Sequence, residues 1–217
     1  MKKVISFSLW GENPKYTVGA IKNAEIASVI YPDWICRFYC GKSVPENITS
    51  QLKSYKNVEV VDMDEQGDWT GMFWRFYACE DSDVMISRDT DSRLSFREKS
   101  AVDEWLESNK NFHIMRDHPY HRTEILGGMW GCRHGILKNI KKLIEDYNKG
   151  DFWQVDQNFL REKIYPLVVN QSIIHDSYLK YNTESKKFPT ERINKEFVGD
   201  VFDENENRHQ EYYLKIH

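Results

Sequence analysis

The stretch DVMISRDTDSR, residues 83–93, decides how the chain is expected to fold. Its apolar run, Val84 to Ile86, is typical of a short buried strand, and two aspartates, Asp89 and Asp91, follow one residue apart. Positions i and i+2 of an extended chain point the same way, so both carboxylates are expected to face one space. That space lies at the carboxyl end of the strand, where open α/β sheets bind their ligands.

The aspartate pair predicts a divalent-cation site. Two carboxylates about 4 Å apart repel each other by about 4 kcal/mol at an effective dielectric constant of about 20. A hard cation such as Mg²⁺ or Mn²⁺ removes this repulsion and is usually held by one or two carboxylates together with substrate phosphates. The motif alone leaves open a second interpretation, a solvated acidic turn after a strand.

Composition narrows the class of protein. The 217 residues are 40% apolar and 14% aromatic, which predicts one folded domain. With 30 basic and 34 acidic residues the net charge is −4, which argues against a nucleic-acid-binding protein. No apolar run approaches the roughly 18 residues of a membrane span, and the N-terminus does not resemble a secretory signal. Four cysteines without a Cys-x-x-Cys pair indicate buried free thiols and a cytoplasmic protein.

Strand-like and helix-like segments alternate along the chain. This order predicts βαβ units around a central, mostly parallel sheet flanked by helices, with the aspartate pair after the fourth strand. The segment 127–131 is too rich in glycine for an ordinary strand interior and suggests backbone lying close to a ligand. Strand-like segments are 4–9, 34–40, 58–61, 84–86 and 112–115, and helix-like segments are 17–30, 45–52, 69–79, 98–108, 136–147 and 156–164.

Taken in order, five features resemble the retaining family 8 branch of the GT-A-fold glycosyltransferases, which use nucleotide sugars and carry an Asp-x-Asp motif. The phrases at 88–93 and 115–119 also resemble small glycosyltransferase domains of bacteria and large algal viruses. The features besides the aspartate pair are Arg75 before it, Asp117 after it, the small-residue segment Gly127-Gly128-Met129, the pair Asp156-Gln157, and a late histidine, His175.

The resemblance implies a single-domain, Rossmann-like GT-A fold over residues 1–217. In it, about 1–95 would bind the nucleotide, about 96–190 would form the acceptor and catalytic half, and 191–217 would be a polar tail. It also implies a metal-dependent glycosyltransferase that moves a sugar from a UDP-sugar to a glycan or other hydroxyl acceptor, with retention at the anomeric carbon. The implied cofactor is Mn²⁺ or Mg²⁺, and neither nucleic acid nor a membrane span is expected.

Site roles also follow from the resemblance. Asp89, Asp91 and His175 would hold the metal ion, a mixed oxygen and nitrogen set that suits Mn²⁺. Asp156 and Gln157 would act at the anomeric carbon of the sugar. The implied donor-binding residues are Ser8, Arg75, Asp89, Asp117, Gly127 and Gly128.

Each of these residues has a structural alternative. Arg75 could stack on its aromatic neighbours, Asp156 could cap a helix, and His175 could be a hydrogen-bonded core imidazole. A zinc site at His118 and His121 is disfavoured because no third ligand stands at a suitable spacing. The chain also departs from family 8, with Leu126 before the glycine pair where that family has Asn near the glycine, and with Lys187-Phe188-Pro189 where that family has Lys-Pro-Trp.

Two other functions compete with glycosyl transfer. In phosphohydrolases of the haloacid-dehalogenase type a strand also ends in Asp-x-Asp, and Gly199-Asp200 imitates their second metal-binding phrase. Against this stand the three βα units that precede the motif and Arg93, which occupies a position where that family usually has Thr or Val. The other candidate is a catalytically inactive module that binds a nucleotide sugar.

Overall fold

The computed structural model describes residues 1–147, 150–178 and 184–216. Within these residues, a sheet of seven strands in the order β3-β2-β1-β4-β6-β5-β7 forms the centre of the molecule. The strands are β1 (Lys3–Leu9), β2 (Ile35–Cys40), β3 (Val58–Asp62), β4 (Val84–Ser87), β5 (Phe112–Arg116), β6 (Trp130–Arg133) and β7 (Ser172–Asp176).

Most pairings in the sheet are parallel, which confirms the predicted α/β architecture. Strands β1 to β4 are parallel neighbours, and β7 runs parallel to β5. Strand β6 is antiparallel to both β4 and β5. The segment that was expected to avoid a strand interior therefore contributes Gly131 to β6. A side chain there would come within 3.0 Å of Met85, Ile86 and Trp105, so glycine is needed for close packing.

Helices cover both faces of the sheet. The first of them begins at Pro14, earlier than expected, because Asn13 Oδ1 accepts a hydrogen bond from Lys15 N and caps the helix. The long helices are α1 (Pro14–Ile30), α2 (Glu46–Ser54), a 3₁₀ helix (Trp69–Glu80), α3 (Phe96–Glu107) and α4 (Ile140–Tyr147). The short ones are α5 (Val155–Phe159), continued by a π-helical turn (Leu160–Ile164), α6 (Tyr165–Val168) and α7 (Gln210–Leu214).

The apolar core has one layer on each side of the sheet. One layer includes Phe7, Phe38 and Trp105, and the other includes Phe76 and Phe159. Strands β1, β2 and β4 are buried on both faces, and the polar residues they carry, such as Ser6 and Arg37, have hydrogen-bond partners. In the part of the chain that the structure describes, no helix is long and apolar enough to cross a bilayer.

The described part of the predicted polar tail packs against the body of the protein. Phe197 and Val198 are almost fully buried, and Phe202 N donates to Asp91 O at 2.9 Å. An antiparallel bridge between Ser92 and Val201 lies next to this bond. The tail therefore contributes to the surroundings of the aspartate pair.

Candidate active site

The aspartate pair lies at the carboxyl end of β4, on the wall of a cleft of about 720 Å³. Strand β4 is buried along its whole length. The next residue, Arg88, also points inward, and its Nε donates to Glu98 Oε1 at 2.8 Å. Asp89 and Asp91 both line the cleft, but the expected alternation does not explain this. Thr90 lines the cleft too, and Ser92 N donates to Asp89 O at 3.4 Å, so the pair lies on a turn that follows the strand.

Each carboxylate of the pair has a basic partner. Asp91 Oδ2 accepts from Lys15 Nζ at 2.7 Å, and Asp89 Oδ1 accepts from Arg75 Nη1. Burial raises the pKa of Asp91, and the negative charge of Asp89 raises it further, against the opposing effect of Lys15. A cation beside the pair would favour the charged form of both carboxylates.

Arg75 lies between Asp89 and a third carboxylate, Asp156. Its Nη2 donates to Asp156 Oδ2 at 2.7 Å, and its side chain is only 6% exposed. The backbone of the 3₁₀ helix is fixed to β1 at this residue, because Ser6 Oγ donates to Arg75 O at 2.6 Å and Arg75 N donates to Ser8 Oγ at 3.0 Å. Within the described chain, the buried Arg75 Nε has no hydrogen-bond acceptor. Arg75 is thus an anchored bridge between carboxylates, and stacking on its neighbours is not its main contact.

Asp156 lies in the first turn of α5 and does not cap that helix. The capping position belongs to Gln154, which has left-handed backbone angles (φ 70°, ψ 13°) and also lines the cleft. Asp156 Oδ1 accepts from Gln157 N at 2.8 Å. Burial raises the pKa of the Asp156 carboxyl, with a further contribution from Asp89, although Arg75 opposes the shift. A buried carboxylate and the neighbouring Gln157 therefore stand together at the cleft.

The glycine pair gives the carboxylates room. A side chain at Gly127 would collide with Asp156 Oδ2 and Arg75 Nη2, and one at Gly128 would collide with Asp89 Oδ2. The glycines were expected to let backbone approach a ligand. In the structure they let it approach the acidic side chains themselves, and Ser87 Oγ holds Gly127 O at 2.7 Å.

Asp117 is not at the cleft. It follows β5 and is fully buried, and its two oxygens accept from Arg97 at 2.7 and 2.9 Å. Arg192 Nη2 donates to the same carboxylate at 2.6 Å, and Ser177 Oγ and Val198 N also donate to it. The expected contact with the donor sugar is thus not available in this structure, because the carboxylate is enclosed by other donors.

His175 does not join Asp89 and Asp91. Strand β7 pairs with β5 at the edge of the sheet, three positions away from β4 in strand order. The ring of His175 lies between His113 Nε2, 2.8 Å from its Nδ1, and Glu104 Oε2, 3.1 Å from its Nε2. Burial lowers the pKa of His175. The expected three-residue metal set is therefore wrong, and the histidine is a hydrogen-bonded core imidazole.

The two remaining carboxylates still fit a divalent cation. Among the described residues, no three His, Cys, Asp or Glu side chains are placed to hold a metal ion together. Asp89 and Asp91 supply hard oxygen atoms on one cleft, and Lys15 already places a positive charge on one of them. Mg²⁺ and Mn²⁺ sites often use two carboxylates and complete their coordination with water and phosphate oxygens.

Several cleft residues were not predicted from the sequence. Lys15 could have been found, since the Asn13-Pro14 start of a helix follows β1 and brings the first helical turn to the same sheet edge. The tail residues Gly199 and Tyr212 could not, because no periodic pattern assigns the tail to this edge. Other lining residues of this kind include Tyr16, Tyr120 and Trp153.

The two histidines of the His-x-x-His phrase line the cleft without forming a zinc site. His118 Nε2 lies 2.9 Å from Tyr212 O, and Asp117 N donates to His121 Nδ1 at 3.0 Å. Burial, helped by the nearby His118, lowers the pKa of His121 to about 3, so this ring is neutral. Both imidazoles have protein partners that fix their orientation.

The geometry does not favour a phosphohydrolase of the haloacid-dehalogenase type. Asp200, the residue that would supply the second metal-binding phrase, forms an ion pair with Arg208. Gly199 lines the cleft, whereas Asp200 does not. Burial raises the pKa of Asp200 to about 6. Its carboxylate is therefore part of the packing of the tail.

No protein-family model matches the sequence, and no curated protein is similar to it in sequence. Solved structures do share its fold. A glycosyltransferase involved in the glycosylation of the major capsid of PBCV-1 has a TM-score of 0.54 at 14% identity, covering 81% of this chain and 82% of that one. The chain has the GT-A fold.

Two further structures show the same similarity. The galactosyltransferase LgtC, solved with donor and acceptor sugar analogues, has a TM-score of 0.51 at 15% identity, covering 80% of this chain and 73% of that one. The mannosyltransferase PcManGT from Pyrobaculum calidifontis, solved with GDP-Man and Mn²⁺, has a TM-score of 0.51 at 12% identity, covering 81% of this chain and 55% of that one. At identities this low, the structural similarity establishes a common fold only. The activity must be inferred from the residues of the site.

Proposed function

We propose that this protein is a metal-dependent glycosyltransferase that moves a sugar from a nucleoside diphosphate, UDP in our assignment, to a glycan or other hydroxyl acceptor. The observation that carries the proposal is the convergence of Asp89, Asp91 and Asp156 on one cleft, with Arg75 between them. This cleft opens at the carboxyl ends of β1 and β4, the edge where a GT-A-type sheet would place its nucleotide sugar.

Asp89 and Asp91 would hold the divalent cation. When bound, Mn²⁺ or Mg²⁺ supplies positive charge where the departing diphosphate becomes more negative. The protein's part is to present two carboxylates at a fixed spacing. Arg75 fixes Asp89, and Asp91 forms an ion pair with Lys15. PcManGT was solved with GDP-Man and Mn²⁺, which supports the use of a divalent cation together with a nucleotide sugar here.

Arg75 would orient the site from beneath the donor. Its guanidinium is buried and holds Asp89 with one nitrogen and Asp156 with another. The Nε–H group of Arg75 has no acceptor within the described chain. A phosphate or sugar oxygen that reached it would gain a charge-assisted hydrogen bond. Arg75 would therefore bind the sugar donor and also set the position of Asp89 and Asp156.

Asp156 and Gln157 would act next to the anomeric carbon of the sugar. A nearly fully buried carboxylate beside Arg75 is suited to stabilise positive charge that develops on the sugar ring. This placement, together with the resemblance to the family 8 enzymes, supports transfer with retention. Proton NMR of the first-formed product tests it, and the inverted anomer would remove this part of the proposal.

The cleft also offers surfaces for the other parts of the substrates. Ser8, Trp10 and Tyr16 line its β1 side and would contact the nucleoside. Trp153 and Tyr120 also line it and are exposed enough to stack on an acceptor sugar. The four cysteines are buried and unpaired, in keeping with a reducing compartment such as the cytoplasm.

The decisive assay measures UDP release from a panel of UDP-sugars with Mn²⁺, with and without glycan acceptors. We expect acceptor-dependent release that a chelator abolishes and that Asp91→Asn reduces by at least about a hundredfold, or roughly 2.7 kcal/mol. Asp62→Asn is the matched control, because Asp62 ends β3 and is exposed. Release of inorganic phosphate from phosphomonoesters would indicate a hydrolase, and UDP binding without product would indicate an inactive module.

A further inference from the structure

A lysine on the first turn of α1 stands where it competes with a metal ion. Lys15 Nζ lies 2.7 Å from Asp91 Oδ2, and the two side chains are 32% and 17% exposed. The ammonium is also 5.3 Å from the ring of Tyr16, which lines the cleft. Hydrogen bonding between Lys15 N and Asn13 Oδ1, at 3.0 Å, holds this turn at the end of β1.

We propose that Lys15 is a displaceable counter-cation for Asp91 that moves to the donor diphosphate when a divalent cation occupies the aspartate pair. This inference rests on the proposed function, since it needs both a metal and a diphosphate in the cleft. Without metal, the ammonium offsets the repulsion between Asp89 and Asp91 and keeps Asp91 turned towards the cleft. A divalent cation on the same carboxylates repels the ammonium, and the incoming diphosphate gives it a new partner.

Arg75 and Lys15 differ in side-chain chemistry, and this difference supports different roles for them. Arg75 is buried, forked and fixed between two carboxylates, so it cannot follow a ligand. Lys15 has a flexible stem, a compact charge and a partly exposed head, and among the described residues it makes one ion pair. The movable charge is therefore on Lys15, and the fixed charge is on Arg75.

The movement of Lys15 from Asp91 to the diphosphate would couple the binding of the metal ion to the binding of the diphosphate. Metal binding to the free protein must displace Lys15 from Asp91, whereas metal binding in the presence of a diphosphate lets Lys15 form a replacement ion pair. Each ligand should therefore bind more tightly in the presence of the other, and part of this coupling should depend on Lys15.

Calorimetry with Mn²⁺ alone, and then with UDP in saturating Mn²⁺, tests the inference on Lys15→Gln. We expect Mn²⁺ alone to bind the variant about threefold to tenfold more tightly, and UDP with Mn²⁺ to bind about tenfold more weakly. The opposite signs separate this role from a structural one, which would weaken both. Lys22→Gln is the matched control, because Lys22 lies on the same helix and pairs with Glu25. Lys15→Arg keeps the charge and should retain most of the UDP affinity.

Thermal unfolding without ligands establishes that each variant is folded. If Lys15→Gln binds Mn²⁺ no more tightly than the wild type, or binds UDP equally well, the role of Lys15 is overturned while the proposed function stands. If the wild type itself binds neither Mn²⁺ nor UDP, the proposed function fails and this inference fails with it.

Discussion

Two clusters of carboxylates and basic side chains lie at the carboxyl ends of strands in this sheet, and only one of them opens on a cleft. We call them the cleft cluster and the closed cluster. The cleft cluster consists of Asp89, Asp91, Asp156, Arg75 and Lys15, and the closed cluster consists of Asp117, Asp176, Arg97, Arg116 and Arg192.

The two clusters differ in access and in hydrogen bonding, although both pair aspartates with basic side chains. In the closed cluster Asp117 is fully buried and accepts from two arginines, a serine hydroxyl and a backbone amide. In the cleft cluster the Asp89 side chain is 44% exposed, and Arg75 Nε lacks an acceptor within the described residues. A partly exposed carboxylate on a cleft therefore identifies the candidate ligand site, whereas an enclosed carboxylate with several donors identifies a structural ion cluster.

The comparison predicts that the largest loss of stability comes from the closed cluster. Asp117→Asn removes the charge that compensates Arg97 and Arg192, so the free energy of unfolding should fall by about 3–5 kcal/mol. Asp91→Asn, in the cleft, should lower it by less than about 1 kcal/mol. Urea denaturation measures both. Equal losses in the two variants would abolish the distinction between the clusters.

Gly128→Ala should displace Asp89 in the cleft cluster and leave the closed cluster unchanged. The added methyl group would collide with the side chain of Asp89 and come within 2.9 Å of its backbone nitrogen, so Asp89 must move. We expect the affinity for UDP in the presence of Mn²⁺ to fall about a hundredfold, or roughly 2.7 kcal/mol.

Gly135→Ala is the control for Gly128→Ala. Gly135 does not line the cleft, and the methyl group there would first meet the side chain of Lys138, at 3.3 Å. The φ of 93° at Gly135 makes alanine strained, so this control also carries a loss of stability. Its affinity for UDP, measured by calorimetry, should stay within a few-fold of the wild-type value. If Gly128→Ala binds equally well, the position of Asp89 does not matter for binding.

Arg75→Lys tests whether a fixed fork is needed in the cleft cluster. One ammonium cannot hold both Asp89 and Asp156 in the geometry of a guanidinium, so kcat/KM for sugar transfer should fall about thirtyfold, or roughly 2 kcal/mol. Steady-state kinetics with the best UDP-sugar measures this loss. Unchanged kinetics would show that positive charge alone is sufficient at this position.

The smallest predicted effect concerns the histidines beside the closed cluster. Burial, with smaller contributions from His175 and Arg88, lowers the pKa of His113 well below its usual 6.5, so the folded protein keeps the ring neutral. The unfolded chain takes up a proton as pH falls below about 6.5. It then binds more protons than the folded state, and the stability present above this pH is lost on acidification, by up to about 1.4 kcal/mol per pH unit.

His113→Phe should keep the stacking on Trp105 and remove this acid sensitivity. Between about pH 7.5 and about pH 5.5, its free energy of unfolding should change by about 1 kcal/mol less than that of the wild type. Urea denaturation at the two pH values measures the difference. An equal change in both proteins would show that His113 does not titrate on unfolding.

The sequence predicts the cleft cluster better than the closed one because its key features are local. The apolar run identifies β4, and the aspartates that follow it lie at its carboxyl end as expected, although on a turn and not on an extended chain. The location of Asp117 and His175 depends instead on β6, which inserts antiparallel between β4 and β5, and on β7, which pairs with β5. Such pairings depend on residues far apart in the chain, and spacing along the sequence does not encode them.

The sequence around Asp117 also does not show that its carboxylate is buried. A carboxylate followed by a histidine and a proline, as at Asp117, reads the same whether its oxygens face a ligand or two arginines. Only the packing of α3 and of the segment containing Arg192 decides between these cases, because their side chains enclose the carboxylate. The two arginines come from either side of Asp117 in sequence, one of them from the weakly patterned tail.

The most direct test of the central claim is calorimetric titration of UDP into the wild type, Asp91→Asn and Asp62→Asn, with Mn²⁺ and again with a chelator. A cation held by Asp89 and Asp91 predicts UDP binding that requires Mn²⁺, is weakened at least about a hundredfold in Asp91→Asn, and is unchanged in Asp62→Asn. UDP binding of equal strength in Asp91→Asn, or binding that the chelator does not affect, would contradict it.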